Sequence, residues 1–158
     1  LYKQVIGRFV ETLAEELEIK IAPLGSTTFK RPELIGAEPD ECFYIQNISA
    51  IKGKKRLDMS QDPPPDLVVE IDLTSSSENS LQVYADLGVP EVWIYNGSQL
   101  RINRLENQRY VDCDRSLAFP ALHILEIVRF LQQAETMDYL ELVKSFRGWV
   151  KSQIQQNQ

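Results

Sequence analysis

The feature that most constrains this chain is the punctuated run from Asp62 to Asn79, DPPPDLVVEIDLTSSSEN, together with its continuation to Asn96. Three consecutive prolines, Pro63 to Pro65, continue neither a helix nor a central strand, so they end whatever precedes them. Residues 66–73 then read as a strand. Ser75 and Glu78 have capping-box spacing for a helix start, and a helix over about 77–87 is closed by Gly88 as a left-handed C-cap with Pro90 just beyond. The next run, EVWIYN from Glu91, reads as a strand again. A helix of this length between two strands is a crossover connection, which makes the chain α/β.

The first of these strands carries an internal tension. Period-two alternation sends Leu67, Val69, Ile71 and Leu73 to one side, and Asp66, Val68, Glu70 and Asp72 to the other. One face is aliphatic and the other is acidic apart from a single valine. A rise of ~3.3 Å per residue sets Glu70 and Asp72 about 6.6 Å apart, where two bare charges repel by roughly 2.5 kcal/mol at an effective dielectric of about 20. Two arrangements remove that cost: a strand end facing water, or a divalent cation held between oxygen ligands.

Around this unit, residues 2–18 place Val5, Ile6, Phe9, Val10, Leu13 and Leu17 on one stripe of an amphipathic helix. The run IKIAPLGSTTFK from Ile19 alternates like a strand, with Pro23 and Gly25 marking a break, and a turn is expected over Arg31–Gly36. Cys42 to Ile45 make a further strand. Asn96-Gly97 is a hairpin turn into QLRINRL, and Asn107-Gln108 turns into RYVDC. The tail, roughly 122–155, is helical in pattern, with Leu140, Val143, Phe146 and Val150 on its later stripe. Tyr44, Tyr84, Trp93 and Trp149 lie in periodic apolar contexts and read as core rather than as base-stacking residues.

With 158 residues, 43% hydrophobic and 25% charged, the chain reads as one globular domain over 1–158. No apolar run approaches a membrane span and no leader is evident, so no membrane partner and a cytoplasmic setting are expected. Cys42 and Cys113 form no CxxC pair, which argues against a thiolate zinc site. A single histidine, His123, among Leu122, Ile124 and Leu125, rules out a two-histidine metal centre within the chain and reads as a helix or loop residue. Helix capping accounts for Ser75, Ser76 and Ser77, since no GxSxG elbow accompanies them. The chain opens at Leu1 in sequence that is already helical in pattern, so an N-terminal portion of the natural protein is expected to precede it.

Four blocks remain to be placed: 25–31 GSTTFKR, 38–46 EPDECFYIQ, 63–74 PPPDLVVEIDLT and 84–93 YADLGVPEVW. In this order they resemble the Uma-type family of restriction endonucleases, abundant in cyanobacteria, over about residues 1–150. That family is placed in the PD-(D/E)XK nuclease superfamily, whose core is a four-stranded mixed sheet with flanking helices in the order α-β-β-β-α-β. The resemblance implies a restriction-endonuclease-like α/β fold with a C-terminal helical tail, and a metal-dependent endonuclease acting on DNA. Asp40 and Glu70 would be the ligands of Mg²⁺ or Mn²⁺, with a backbone carbonyl near Ile71, and Asp72 a further catalytic or metal-binding acid. An acid on the first helix would be Glu11 or Glu15. A homodimer is a further expectation.

The chain departs from the superfamily pattern at one group. The usual lysine, two residues after the second acid, is replaced by Asp72. In many family members the lysine stands four residues before the tyrosine of the YADLGVPE block, which here is Ser80 before Tyr84. No lysine occurs between Lys55 and Lys144. Lys30, a second metal on Asp72, or the basic loop Lys52, Lys54, Lys55 and Arg56 could substitute. That loop lies between the two acidic strands and is either a nucleic-acid contact or a solvated surface run. The net charge of −6 argues against a broadly basic DNA-coating surface. The second functional reading is therefore a degenerate nuclease fold serving as a nucleic-acid-binding or protein-interaction module.

Overall fold

The computed structural model describes residues 1–25, 29–31, 34–54, 57–74 and 78–158. Its strands are β1 (Ala22–Pro23), β2 (Phe29–Arg31), β3 (Leu34–Ala37), β4 (Glu41–Tyr44), β5 (Leu67–Ile71), β6 (Glu91–Tyr95), β7 (Leu100–Glu106) and β8 (Arg109–Cys113). The helices are α1 (Tyr2–Leu17), α2 (Ile48–Ile51), α3 (Glu78–Leu87), α4 (Ile127–Leu131) and α5 (Tyr139–Gln156). A six-stranded mixed sheet runs β1-β4-β5-β6-β7-β8, and β2-β3 pair apart from it. Among the described strands only β5 and β6 pair in parallel, as the crossover through α3 requires. The sheet thus has six strands rather than the four implied by resemblance: β4-β5-β6 at its centre, the two-residue β1 at one edge and the β7–β8 hairpin at the other.

The two faces of the sheet are buried by different helices. On one, Val5, Ile6, Phe9, Val10 and Leu13 of α1 meet Phe43, Leu67, Val69, Trp93, Tyr95 and Ile102. Phe146 of α5 stacks on Phe9 with ring centroids 4.0 Å apart, and Phe130 of α4 meets both edge-on. Arg147 ties α5 to α1 through Glu16 at 2.6 Å and Glu15 at 3.2 Å. On the other face a smaller cluster joins Cys42, Val68, Val92 and Ile94 to Tyr84 of α3. No helix among the described residues is long and apolar enough to cross a membrane.

Four expectations need correction. The strand over 19–30 shrinks in the sheet to Ala22–Pro23, because Pro23 has no N–H to donate and Gly25 turns the chain at φ +58°. Within the turn expected over Arg31–Gly36, Leu34–Ala37 is instead a strand, paired antiparallel and irregularly with Phe29–Arg31. The helical tail is not continuous: a 3-10 turn at Ile124–Glu126 leads into α4, and Asp138 starts α5 afresh by accepting the N–H of Glu141 at 3.3 Å. Leu140 falls off the core stripe of that new helix and is 72% exposed, while Leu142, Val143, Phe146, Trp149 and Val150 are buried.

One buried acid organises the chain beyond β8. Glu91 is only 1% exposed. Its carboxylate accepts from Trp93 Nε1 and Ser116 Oγ, both at 2.6 Å, and from the N–H groups of Leu117 (3.0 Å) and Ala118 (2.9 Å). Four donors converge on two oxygens, so a buried charge is satisfied entirely by neutral dipoles. Glu91→Gln would turn one acceptor into a donor facing donors, and about 2 kcal/mol of stability is expected to go. Urea unfolding reads this directly; a loss under about 0.5 kcal/mol, the range of an ordinary surface change, would mean that the loop is held by other contacts.

Candidate functional site

The register of β4 on β5 decides which acids meet. Glu41 pairs with Val69, Cys42 with Val68 and Phe43 with Leu67, antiparallel. One step further along the same register, Asp40 stands opposite Glu70. Cys42 and Val68 belong to the α3-side cluster, so the alternation puts Asp40 and Glu70 on that face too. Directly opposed residues of an antiparallel pair have Cβ atoms roughly 4.5–5.5 Å apart, and like charges there repel.

The side chains answer that repulsion with hydrogen bonds. Asp40 Oδ2 accepts the N–H of Ile71 at 2.6 Å. Glu70, 8% exposed, accepts a hydrogen bond from the hydroxyl of Tyr84. The two carboxyl groups are also hydrogen-bonded to each other, and the N–H of Asp40 points at Glu70. Burial pushes the Glu70 carboxyl up to about 7, the Asp40 charge adds to this, and the Tyr84 hydroxyl opposes it. Burial followed by the Glu70 charge raises the Tyr84 phenol, which stays protonated as the donor.

A carboxyl raised in the folded state stabilises the fold fully below its unfolded pKa and loses that contribution as pH climbs through the folded one. For Glu70 the window runs from about 4.5 to about 7, and roughly 3 kcal/mol of stability should fade across it. Denaturant midpoints at several pH values would register the decline, and Glu70→Gln should flatten it. An unchanged slope in that variant would mean that Glu70 is not the titrating group.

The donor set fits a hard divalent cation of the Mg²⁺ kind, which takes one or two carboxylates and fills its shell with water and substrate phosphate. Asp40 and Glu70 supply the two carboxyls, facing each other across the β4–β5 register. Among the described residues no three Asp, Glu, His or Cys side chains cluster tightly enough to hold a metal, so Asp72 does not complete a three-carboxylate group. Asp72 is half-buried just past the end of β5, its N–H bonded to the carbonyl of Tyr95 at 2.8 Å. The remaining acid of the strand serves the backbone at the other end of β5, where Asp66 Oδ2 accepts the N–H groups of Ile45 (2.6 Å) and Asn47 (3.1 Å).

The basic loop leaves the sheet from that same far end, after Tyr44. Lys54 is ion-paired with the buried Asp62, and Lys52 is exposed. Lys55 and Arg56 lie outside the described residues, as do Ser75 to Ser77 and the side chain of Lys30. On α1, Glu15 is engaged by Arg8 and Arg147, both at 3.2 Å, and Glu11 stands 3.6 Å from Arg8. His123 is exposed ahead of the 3-10 turn. Trp93, Trp149 and Tyr44 are core, as their spacing suggests. Tyr84 is core as well, but its hydroxyl reaches the acid pair, which its apolar neighbours in sequence do not reveal. Ser80 lies one helical turn before Tyr84, on the same side of α3.

A family model described as "Uma2: Putative restriction endonuclease" matches residues 3–137. Among solved structures, one described as a putative nuclease belonging to DUF820, from Anabaena variabilis, superposes with a TM-score of 0.51 at 14% identity, over 95% of this chain and 82% of its own. The type IIG restriction endonuclease BpuSI matches with a TM-score of 0.45 at 14% identity, over 99% of this chain and 17% of its own. No curated protein matches the chain.

Proposed function

The chain belongs to the Uma2 family of putative restriction endonucleases, and on that premise we propose that it is a metal-dependent endonuclease hydrolysing phosphodiester bonds in DNA. The observation that carries this reading is the opposition of Asp40 and Glu70 across the β4–β5 register, at the rim where β5 ends. Two facing carboxyls, Glu70 buried and Asp40 half-buried, serve no packing purpose that an apolar pair would not serve better. They do suit a hard cation.

Asp40 and Glu70 would hold Mg²⁺ or Mn²⁺, and Asp72, half-buried and two residues after Glu70, would act as an auxiliary acid. When bound, such a cation polarises the phosphoryl oxygen and acidifies its water. The residues of the chain itself supply the geometry. The N–H of Ile71 fixes Asp40, and β6 and α3 wall Glu70 from solvent on the inner side. Exposed Lys52 is the described member of the basic loop best able to meet a phosphate, since Lys54 is engaged by Asp62.

The test is incubation of the full chain with supercoiled plasmid in Mg²⁺ or Mn²⁺, with and without chelator. Nicked or linear product that chelation prevents is the expected result. Intact plasmid, with the protein folded by circular dichroism, would overturn the enzyme reading. It would favour the binding module, for which the absent lysine at positions 72 and 80 speaks.

A further inference from the structure

The acid pair is built with a symmetry of support that the cation reading does not use. Asp40 has one oxygen engaged by a neutral donor, the N–H of Ile71 at 2.6 Å. Glu70 has one oxygen engaged by another, the hydroxyl of Tyr84. The two carboxyl groups face each other across the β4–β5 register. The two donors differ in kind. The Ile71 amide is backbone of β5 and fixed by the sheet, whereas the Tyr84 phenol is carried on the crossover helix.

We propose that Tyr84 is a positioning residue for Glu70, its hydroxyl holding the carboxylate in the single rotamer that opposes Asp40. The inference rests on the reading of Asp40 and Glu70 as a cation-holding pair. Tyr84 is completely buried among Cys42, Val68, Val89, Val92 and Ile94. Its ring cannot swing, so its hydroxyl is a fixed point. A buried phenol needs a polar partner, and Glu70 is the one it has. Glutamate, with three side-chain torsions, has the most to gain from such an anchor. Groups that orient a metal ligand through a hydrogen bond typically change affinity by about 10–100-fold when removed. The placement of α3 on the sheet thereby sets the geometry of the site, although no atom of α3 is assigned to hold the cation.

Tyr84→Phe deletes the hydroxyl and keeps the ring, so the packing of α3 stays intact. Two readouts separate positioning from packing. By calorimetry with Mn²⁺ alone, the variant should bind about 10–100-fold more weakly than the parent protein. By NMR of the metal-free protein, three-bond couplings should report one Glu70 side-chain rotamer in the parent and averaged rotamers in the variant. Equal Mn²⁺ affinity in both proteins would overturn the proposal. Failure of the parent to bind Mn²⁺ would remove the cation reading, and the rotamer measurement then decides alone: an unchanged Glu70 in the variant overturns the role of Tyr84, and an averaged one upholds it.

Discussion

Asp40→Asn/Glu70→Gln should abolish metal-dependent cleavage, a fall of at least about 10³-fold against the parent protein. Removing a single group that stabilises transition-state charge costs about 10²–10³-fold in other hydrolytic sites, and here both proposed ligands go together. The amide replacements keep the shape of each side chain and one acceptor oxygen on each. The N–H of Ile71 and the hydroxyl of Tyr84 therefore keep a partner. Neutralising the pair also removes a like-charge contact between buried Glu70 and half-buried Asp40, so thermal stability near pH 8 should hold or rise. That combination, stable protein with no cleavage, separates a lost site from a lost fold. It separates a contaminating nuclease too, because a contaminant would survive the substitution. Cleavage at the parental rate by the double variant would mean that the cleavage does not run through Asp40 and Glu70.

The half of the site that is legible in the sequence is the half that depends on parity. Alternation puts Glu70 and Val68 on one face of a strand, and the capping signals around residues 74–90 mark the crossover that pins this strand next to Glu91–Tyr95. Nothing local says that Glu41 faces Val69 rather than a residue two places away, yet that register alone brings Asp40 to Glu70. Family resemblance points to the pairing; periodicity does not. Tyr84 shows the same limit. Its apolar context reads as core, correctly, but the direction of its hydroxyl is a property of how α3 lies on the sheet.

The misread segments obey the same logic. Leu34–Ala37 forms a strand only because Phe29–Arg31 lies alongside, while its Arg31–Gly36 surroundings carry turn-forming residues that point the other way. Leu140 fits a stripe drawn through the whole tail, but Asp138 resets the helical phase and puts it in solvent. Glu91 looks in sequence like the plain first residue of a strand. Its four donors come from Trp93 and from a loop 25–27 residues away, a convergence that only the folded chain brings about.

Ser80→Lys should raise the rate of metal-dependent cleavage by about 10²–10³-fold, the amount that one well-placed cationic group contributes to stabilising developing negative charge. Position 80 comes just after the start of α3 at Glu78, near the strand end that bears Glu70, and Tyr84 lies one turn further along the same face. A lysine there starts about 6 Å along the helix axis from the tyrosine whose hydroxyl touches Glu70, within the span of its own four-carbon stem. Ser80 is only half-buried, so the longer side chain has room to leave α3 without displacing the Val68–Tyr84 cluster. The ammonium would also favour the ionised form of Glu70, drawing its carboxyl down from about 7 and easing cation uptake near neutral pH. Initial rates on plasmid at saturating Mn²⁺ measure the gain; the Glu70 titration, followed by carboxyl ¹³C NMR, shows whether the new charge arrives. A lowered Glu70 pKa with no gain in rate would mean that the parent already recruits its cationic group from elsewhere. An unmoved pKa would mean that position 80 does not address the acid pair, and the rate gain would not be expected at all.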